Sequence, residues 1–147
     1  MARVNRLYLT DSTHAVFRIG VGLLFMLHGL QKFGLIGGKA PVALNSLMGV
    51  AGILELVGGA LIVVGLLTRP VAVVLALEMV AAYFMAHHPK GGWPLQNGGE
   101  LPLLYVLAFV FLAAHGAGRW SLDAALRRAR PRNGHGAITE VRRSRAA

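Results

Sequence analysis

The sequence predicts an all-α integral membrane protein whose single domain is a four-helix bundle. The first observation is composition: 55% of the residues are hydrophobic and only 14% are charged. Soluble globular domains contain about 25% charged residues, so this chain is poor in charge. The second observation is that four apolar segments alternate with connections rich in Gly and Pro. A length of 147 residues suits one domain.

The four apolar segments have the length of membrane-spanning helices. A helix needs about 20 residues to cross a hydrocarbon core about 30 Å thick. Such segments are expected to be helical because a helix satisfies its own backbone groups in lipid. A tight turn at Thr68, Arg69 and Pro70 makes segments two and three an antiparallel hairpin. The segments cover about 15–33, 47–67, 70–86 and 101–118.

The distribution of Lys and Arg predicts the orientation. Seven of the 15 Lys and Arg residues lie from Arg127 onward. Because an excess of Lys and Arg marks the cytoplasmic side, we expect the N-terminal segment 1–14 and the basic tail 122–147 in the cytoplasm. The membrane domain between them covers 15–121. Attraction to anionic lipid explains the tail, and no nucleic-acid partner is expected because nothing resembling a binding fold accompanies it.

Ionisable residues inside apolar segments are candidates for function, because charge is costly in lipid. Segment one contains Arg18, His28 and Lys32, segment two contains Glu55, and segment three contains Glu78. At about 1.5 Å per residue, His28, Glu55 and Glu78 lie roughly 8, 12 and 13 Å from the outer boundary. Arg18 lies near the inner boundary, where it could snorkel to the interface and balance a carboxylate or a lipid phosphate.

Glu55 is predicted to face the other helices. It lies three residues after Gly52 and four before Gly59, and small residues mark close helix packing in membranes. The sequence therefore predicts an outer-half pocket with two carboxylates, a histidine and a lysine. One glutamate ionised beside a cation and one protonated would suit proton relay, or hydrogen bonds to the two oxygens of a quinone-like ring. The alternative is that both glutamates only bridge helices.

Other polar residues are weaker candidates. His87 stands at the outer end of segment three, where capping a helix end near water is the alternative to a ligand-binding role. His14 lies outside the expected spans and receives no role. No metal site is predicted, because no metal-ligand spacing lies on one helix. The chain contains no cysteine, so any redox function must borrow its electron carrier.

Three stretches of the sequence resemble the DoxX family. They are RIGVGLLFMLHGLQKFG at 18–34, ELVGGALIVVGLLTRP at 55–70 and ELPLLYVLAFVFLAAHGAGRWSLD at 100–123. The resemblance covers about 15–123. It implies a small four-helix protein of the bacterial inner membrane. Relatives in that family are described as oxidoreductase components, and some resemble a subunit of a thiosulfate:quinone oxidoreductase. The residues carried over by the resemblance are Arg18, His28, Lys32, Glu55, Glu78 and Glu100.

These observations lead to one functional hypothesis and its alternatives. The hypothesis is an oxidoreductase component that binds a quinone-like ligand from the outer half of the membrane. The catalytic candidates are Glu55, Glu78 and His28, and the ligand-binding candidates are Arg18, Lys32, Glu100 and His87. The alternatives are a non-enzymatic scaffold for redox partners and a small permease. The expected partners are the lipid bilayer, a redox protein and a second copy of the chain.

Overall fold

The computed structural model of the protein describes residues 2–38 and 40–129. These residues form helices and no strand, which confirms the predicted all-helical fold class. The helices are α1 (Ala2–Lys32), α2 (Leu47–Ile53), α3 (Gly59–Val64), α4 (Thr68–Ala82), α5 (Pro94–Asn97), α6 (Glu100–His115) and α7 (Leu122–Ala129). Two π-helical turns, Leu54–Gly58 and Tyr83–His87, and a 3₁₀ turn, His88–Lys90, extend or join them.

In the described residues, three helices are long and apolar enough to cross a membrane. They are Tyr8–Lys32, Leu47–Val64 and Thr68–Lys90. Helix α6 is equally apolar but shorter, with 16 residues. Helix α1 begins well before the span expected at residue 15, because no Gly or Pro interrupts residues 2–14. Of the predicted tail, α7 is helical and 130–147 lies outside the described residues.

The helices form two packed pairs around a shared core. Helix α1 packs against the continuous helix Leu47–Val64, and α4 packs against α6. The Phe25 ring meets the rings of Tyr105 and Phe109 edge to face, with centroids 5.0 and 4.8 Å apart, which is a favourable aromatic geometry. The core residues are Phe25, Ile62, Ala72, Leu75, Ala76, Met79, Tyr105, Phe109 and Leu112.

The outer surface of the bundle is apolar as well. Many large aliphatic side chains are exposed, including Leu23, Leu24, Leu77, Leu104 and Leu107. A soluble monomer rarely exposes an apolar surface of this extent. Lipid contact accounts for it, so the burial pattern agrees with a membrane protein.

Glycines bring α1 close to the helix Leu47–Val64. A Cβ atom added at Gly22 would lie 2.9 Å from the carbonyl oxygen of Gly59, and one at Gly29 would lie 2.7 Å from that of Gly52. Only glycine permits this approach of two backbones. The stripe of Gly52 and Gly59 predicts close packing against another helix, and in the structure that helix is α1.

The connection between α3 and α4 is latched by α7. The Asp123 carboxylate accepts hydrogen bonds from the backbone N–H groups of Leu67 (2.9 Å) and Thr68 (3.1 Å). The Asp123 N–H donates to the carbonyl of Gly65 at 2.9 Å. Gly65 and Leu67 both have left-handed backbones, with φ of 70° and 50°. This end of the bundle, formed by the 65–67 turn and α7, is hereafter the turn end, and the opposite end is the loop end.

Candidate intramembrane polar site

An ion pair joins α1 to the helix Leu47–Val64 near the loop end. Nζ of Lys32 donates to Oε1 and Oε2 of Glu55 at 2.6 and 2.5 Å. Glu55 is only 4% exposed, so its charge depends on this lysine. The side chain of Lys32 is 20% exposed and reaches the acid from the rim of the bundle. The structure thus brings together two of the residues singled out from the sequence.

Glu55 lies in a π-helical turn that the sequence did not predict. The turn covers Leu54–Gly58 and carries Glu55 at its second position. A π turn inserts one extra residue into a helix and is frequent at functional sites. Next to it, a Cβ atom at Gly29 would lie 2.8 Å from the backbone nitrogen of Leu56, so α1 runs directly alongside this turn. The close approach places Lys32 within reach of the carboxylate.

Glu78 of α4 lies near this ion pair but is not part of it. Both carboxylate oxygens of Glu78 are buried and have no hydrogen-bond partner among the described residues. Glu78 interacts electrostatically with Glu55 and Lys32. Buried polar atoms without a partner are uncommon in folded proteins, because each one forfeits its hydrogen bonds to water. The oxygens of Glu78 are therefore available to a ligand or a proton.

His28 meets a residue that the sequence reasoning missed. The His28 ring lies edge-on to the Tyr105 ring, with centroids 5.7 Å apart. Tyr105 is 7% exposed and interacts electrostatically with Glu55. The signal for it was present, since Tyr105 is the single hydroxyl-bearing side chain between residues 101 and 114. Together, five residues form the polar cluster: His28, Lys32, Glu55, Glu78 and Tyr105.

Arg18 lies away from the polar cluster, at the turn end. It is 1% exposed and donates hydrogen bonds to the carbonyls of Ile62 (2.5 Å), Val63 and Trp120 (2.7 Å). Arg18 is therefore buried against backbone carbonyls and does not extend to the interface as expected, although it interacts electrostatically with the Asp123 carboxylate. The physical reason is that the last carbonyls of α3 lack intrahelical donors, and a guanidinium satisfies several of them at once.

His87 and Glu100 lie at the loop end. Nδ1 of His87 donates to the carbonyl of Asn97 at 3.2 Å, which ties the end of the third span to α5. Glu100 is exposed in the first turn of α6, where the partial positive charge of the helix N-terminus stabilises an acidic side chain. In the described part of the chain neither side chain forms a hydrogen bond or ion pair with the polar cluster.

Comparison with known proteins identifies the family. The family model described as DoxX matches residues 14–88. The chain belongs to the DoxX family. An uncharacterized protein of Haemophilus influenzae is 42% identical over an alignment of 117 positions, which covers 74% of this chain and 87% of that relative.

Two further relatives of this DoxX protein carry more descriptive names. An uncharacterized membrane protein of Mycobacterium tuberculosis is 34% identical over 127 residues, covering 74% of this chain and 78% of the relative. A Bacillus subtilis protein named "Putative oxidoreductase CatD" is 34% identical over 113 residues, covering 74% and 82%. No solved structure matches the chain.

The DoxX match includes most of the polar cluster. His28, Lys32, Glu55 and Glu78 lie within residues 14–88, whereas Tyr105 and Glu100 lie beyond them. No group of three or more His, Asp or Glu side chains in the described residues could hold a metal ion. What the cluster offers chemically is one neutralised carboxylate, one unpartnered carboxylate, an imidazole and a phenol.

The DoxX protein also has a polar feature at the turn end that sequence reasoning dismissed. His14 lies inside α1, and both of its ring nitrogens are buried without a partner in the described residues. Its ring is 5.9 Å from that of Phe111, and a Cβ atom at Gly118 would lie 2.7 Å from Nδ1. It lines a groove of about 670 Å³ together with Leu9, Thr10, Thr13, Phe17, Phe111 and His115. His14 was dismissed because the first span was expected to start after it.

Proposed function

We propose that this DoxX membrane protein is the quinone-binding component of an oxidoreductase. The ligand's ring lies at the polar cluster, and Glu78 hydrogen-bonds to it. The observation that carries the proposal is the pair of buried, unpartnered carboxylate oxygens of Glu78 beside the Lys32–Glu55 ion pair. The name of the Bacillus subtilis relative, "Putative oxidoreductase CatD", supports the same class of activity.

The cluster suits the chemistry of a quinone. Reduction of a quinone to a quinol takes up two electrons and two protons. A protonated carboxyl donates to a quinone oxygen and can transfer its proton there. Glu78 and Glu55 handle the two protons, and His28 and Lys32 orient the ring. The two electrons come from a partner redox protein that carries its own cofactor, because this chain has no cysteine to cycle.

The proposal includes a location. The protein lies in the bacterial inner membrane with both termini in the cytoplasm, and the polar cluster lies in the outer half of the bilayer. Arginine enrichment near the turn end supports this orientation, since Arg69 and Arg119 flank the apolar helices there.

Binding of a short-chain ubiquinone to the purified protein in mild detergent tests the proposal directly. Glu78→Leu removes the carboxyl, and we expect the dissociation constant to rise about tenfold because a hydrogen bond from a buried group is lost. Glu78→Gln keeps a hydrogen-bond donor, and we expect binding within about threefold of the native protein. Lys90→Gln, which removes an exposed charge at the same end outside the polar cluster, is the control and leaves binding unchanged.

Turnover separates binding from proton transfer. Quinone reduction is followed in membrane vesicles supplied with soluble extract of the source cells as electron donor. Because an amide cannot release a proton, Glu78→Gln lowers the rate roughly a hundredfold, which is typical for loss of a general acid. Native protein that shows no saturable quinone binding and instead co-purifies with a soluble redox protein would contradict the proposal in favour of a scaffold.

A further inference from the structure

A groove with two free arginines lies at the turn end. It has a volume of about 510 Å³ and lies between α7 and the start of α4. Neither Arg69 nor Arg127 has a hydrogen-bond or ion-pair partner among the described residues. The residues lining the groove are Leu67, Arg69, Pro70, Asp123, Leu126 and Arg127.

The groove remains positively charged although it contains an acid. Asp123 is its carboxylate, and both oxygens of Asp123 already accept backbone N–H groups of the 67–68 turn. Two guanidinium groups against one engaged carboxylate leave a surplus of one positive charge. Such a surplus, with two planar hydrogen-bond donors, favours a phosphate group as ligand.

Gly116 leaves room for the side chain of Arg69. A Cβ atom at Gly116 would lie 3.0 Å from Nε and 3.7 Å from Cγ of Arg69. Gly116 also has a positive φ of 79°, a backbone conformation that favours glycine. The absence of a side chain there leaves room for the Arg69 side chain to lie across the end of α6, beside the groove.

An apolar crevice continues from this groove along the helices. It has a volume of about 300 Å³, lies between the helix Leu47–Val64 and α4, and shares Leu67 and Pro70 with the groove. At about 1.5 Å per residue, the crevice runs roughly 20 Å from Leu67 to Leu54. One leaflet of hydrocarbon is about 15 Å deep. The remaining lining residues are Ile53, Val57, Gly58, Leu61, Val71, Val74 and Leu75.

Helix α7 has the character of a helix at a membrane surface. Leu122 and Leu126 are four residues apart, share a face and are both exposed. Arg127 and Arg128 are exposed beside them. Helices with an aliphatic face and a basic face lie at the boundary between headgroups and acyl chains. The two-arginine groove is therefore at headgroup depth, and the crevice below it is at acyl-chain depth.

We propose that the groove and the crevice form one binding site for an anionic phospholipid. The phosphate lies between Arg69 and Arg127, and one acyl chain follows the crevice between the second and third spans. The continuity of a cationic mouth with an aliphatic channel distinguishes this ligand from free phosphate, which the mouth alone would hold. The site also differs from the general basic surface of α7, because the exposed Arg128 does not line the groove.

Lipid titration of the delipidated full-length protein tests the site. The probes are phosphatidylglycerol, phosphatidylcholine with the same acyl chains, and inorganic phosphate, with bound lipid measured by native mass spectrometry. We expect preferential binding of phosphatidylglycerol, weakened about tenfold by Arg69→Gln or Arg127→Gln, since each variant loses a charge-assisted hydrogen bond to the phosphate. Arg128, the neighbouring exposed arginine, does not line the groove and provides the control. We expect Arg128→Gln to leave binding unchanged.

A second pair of variants tests the crevice. Val74 lines it, and Val74→Phe fills it, so we expect weaker binding of phosphatidylglycerol in a variant with an unchanged melting temperature. Leu77, exposed on the same helix but outside the crevice, supplies the control Leu77→Phe. The proposal is overturned by equal binding of the two lipids, by an equal loss in Arg128→Gln, by competition from inorganic phosphate at comparable concentration, or by full binding in Val74→Phe.

Discussion

At the scale of single residues, the two glutamates have opposite surroundings. Glu55 accepts two hydrogen bonds from Lys32, whereas the oxygens of Glu78 have no partner among the described residues. A buried polar group without a partner forfeits the hydrogen bonds that it would make to water, so of the two acids Glu78 is the one with unmet hydrogen-bonding capacity. This asymmetry leaves the Glu78 oxygens open to the proposed ligand, whereas the oxygens of Glu55 are engaged by Lys32.

The ion pair predicts an asymmetric response to mutation. Lys32→Met leaves Glu55 buried without its cation, and we expect the free energy of unfolding to fall by about 3 kcal/mol, the lower end for a broken buried pair because Lys32 is partly exposed. Lys32→Met combined with Glu55→Gln removes the orphaned charge and restores most of that loss. Thermal unfolding in mild detergent measures both, with Lys90→Met as the control at an exposed lysine. Equal destabilisation of the single and double variants would contradict the pairing.

Helical spacing was enough to predict part of the polar cluster. His28 and Lys32 are one turn apart on α1, and the glycine stripe predicted that Glu55 faces the other helices, although it did not indicate which one. Tyr105 was missed because a tyrosine in an apolar run is not marked by charge. The partners of Arg18 were missed because backbone carbonyls leave no trace in a sequence, and which ones are free depends on where neighbouring helices end.

At the scale of elements, the helix Leu47–Val64 combines a close-packed face with an irregular turn. The existence of this helix followed from its apolar run, but the π turn at Leu54–Gly58 did not. A π turn adds one residue to the helix but leaves no signal in its amino-acid composition. Its position therefore depends on how the helix packs against α1. The start of α1 at Ala2 was missed for a related reason, since a polar helix that continues out of an apolar span has no hydrophobic signal.

Two glycines of α1 provide a matched test of this packing. A Cβ atom at Gly22 would lie 2.8 to 3.0 Å from atoms of Val63 and Gly59, whereas one at Gly20 would meet nothing within 4 Å. We expect Gly22→Ala to destabilise the protein by about 1–3 kcal/mol, because backbone atoms cannot yield to the added methyl group. Gly20→Ala should be neutral or stabilise by up to about 1 kcal/mol through helix propensity. Melting temperatures compare the variants, and equal effects would show that α1 is not packed this closely.

At the scale of the whole molecule, the two ends of the bundle have different chemistry. The polar cluster draws on α1, the helix Leu47–Val64, α4 and α6, so its geometry depends on all four packing together. The turn end instead carries the Asp123 latch, the Arg18 cap and the arginine groove. The difference between the two ends follows from the order of the segments along the chain. The Asp123 latch does not, because it depends on contacts between residues more than 50 positions apart.

The orientation of the molecule is testable because the chain contains no cysteine. Leu95 of α5 is 77% exposed at the loop end, and Arg128 of α7 is exposed at the turn end. Since arginines gather at the turn end, we expect that end in the cytoplasm. A membrane-impermeant maleimide should label Leu95→Cys in intact spheroplasts and Arg128→Cys only after lysis. Equal labelling of both variants after lysis is the control. Labelling of Arg128→Cys in intact spheroplasts would show the opposite orientation, with the polar cluster in the inner half of the membrane.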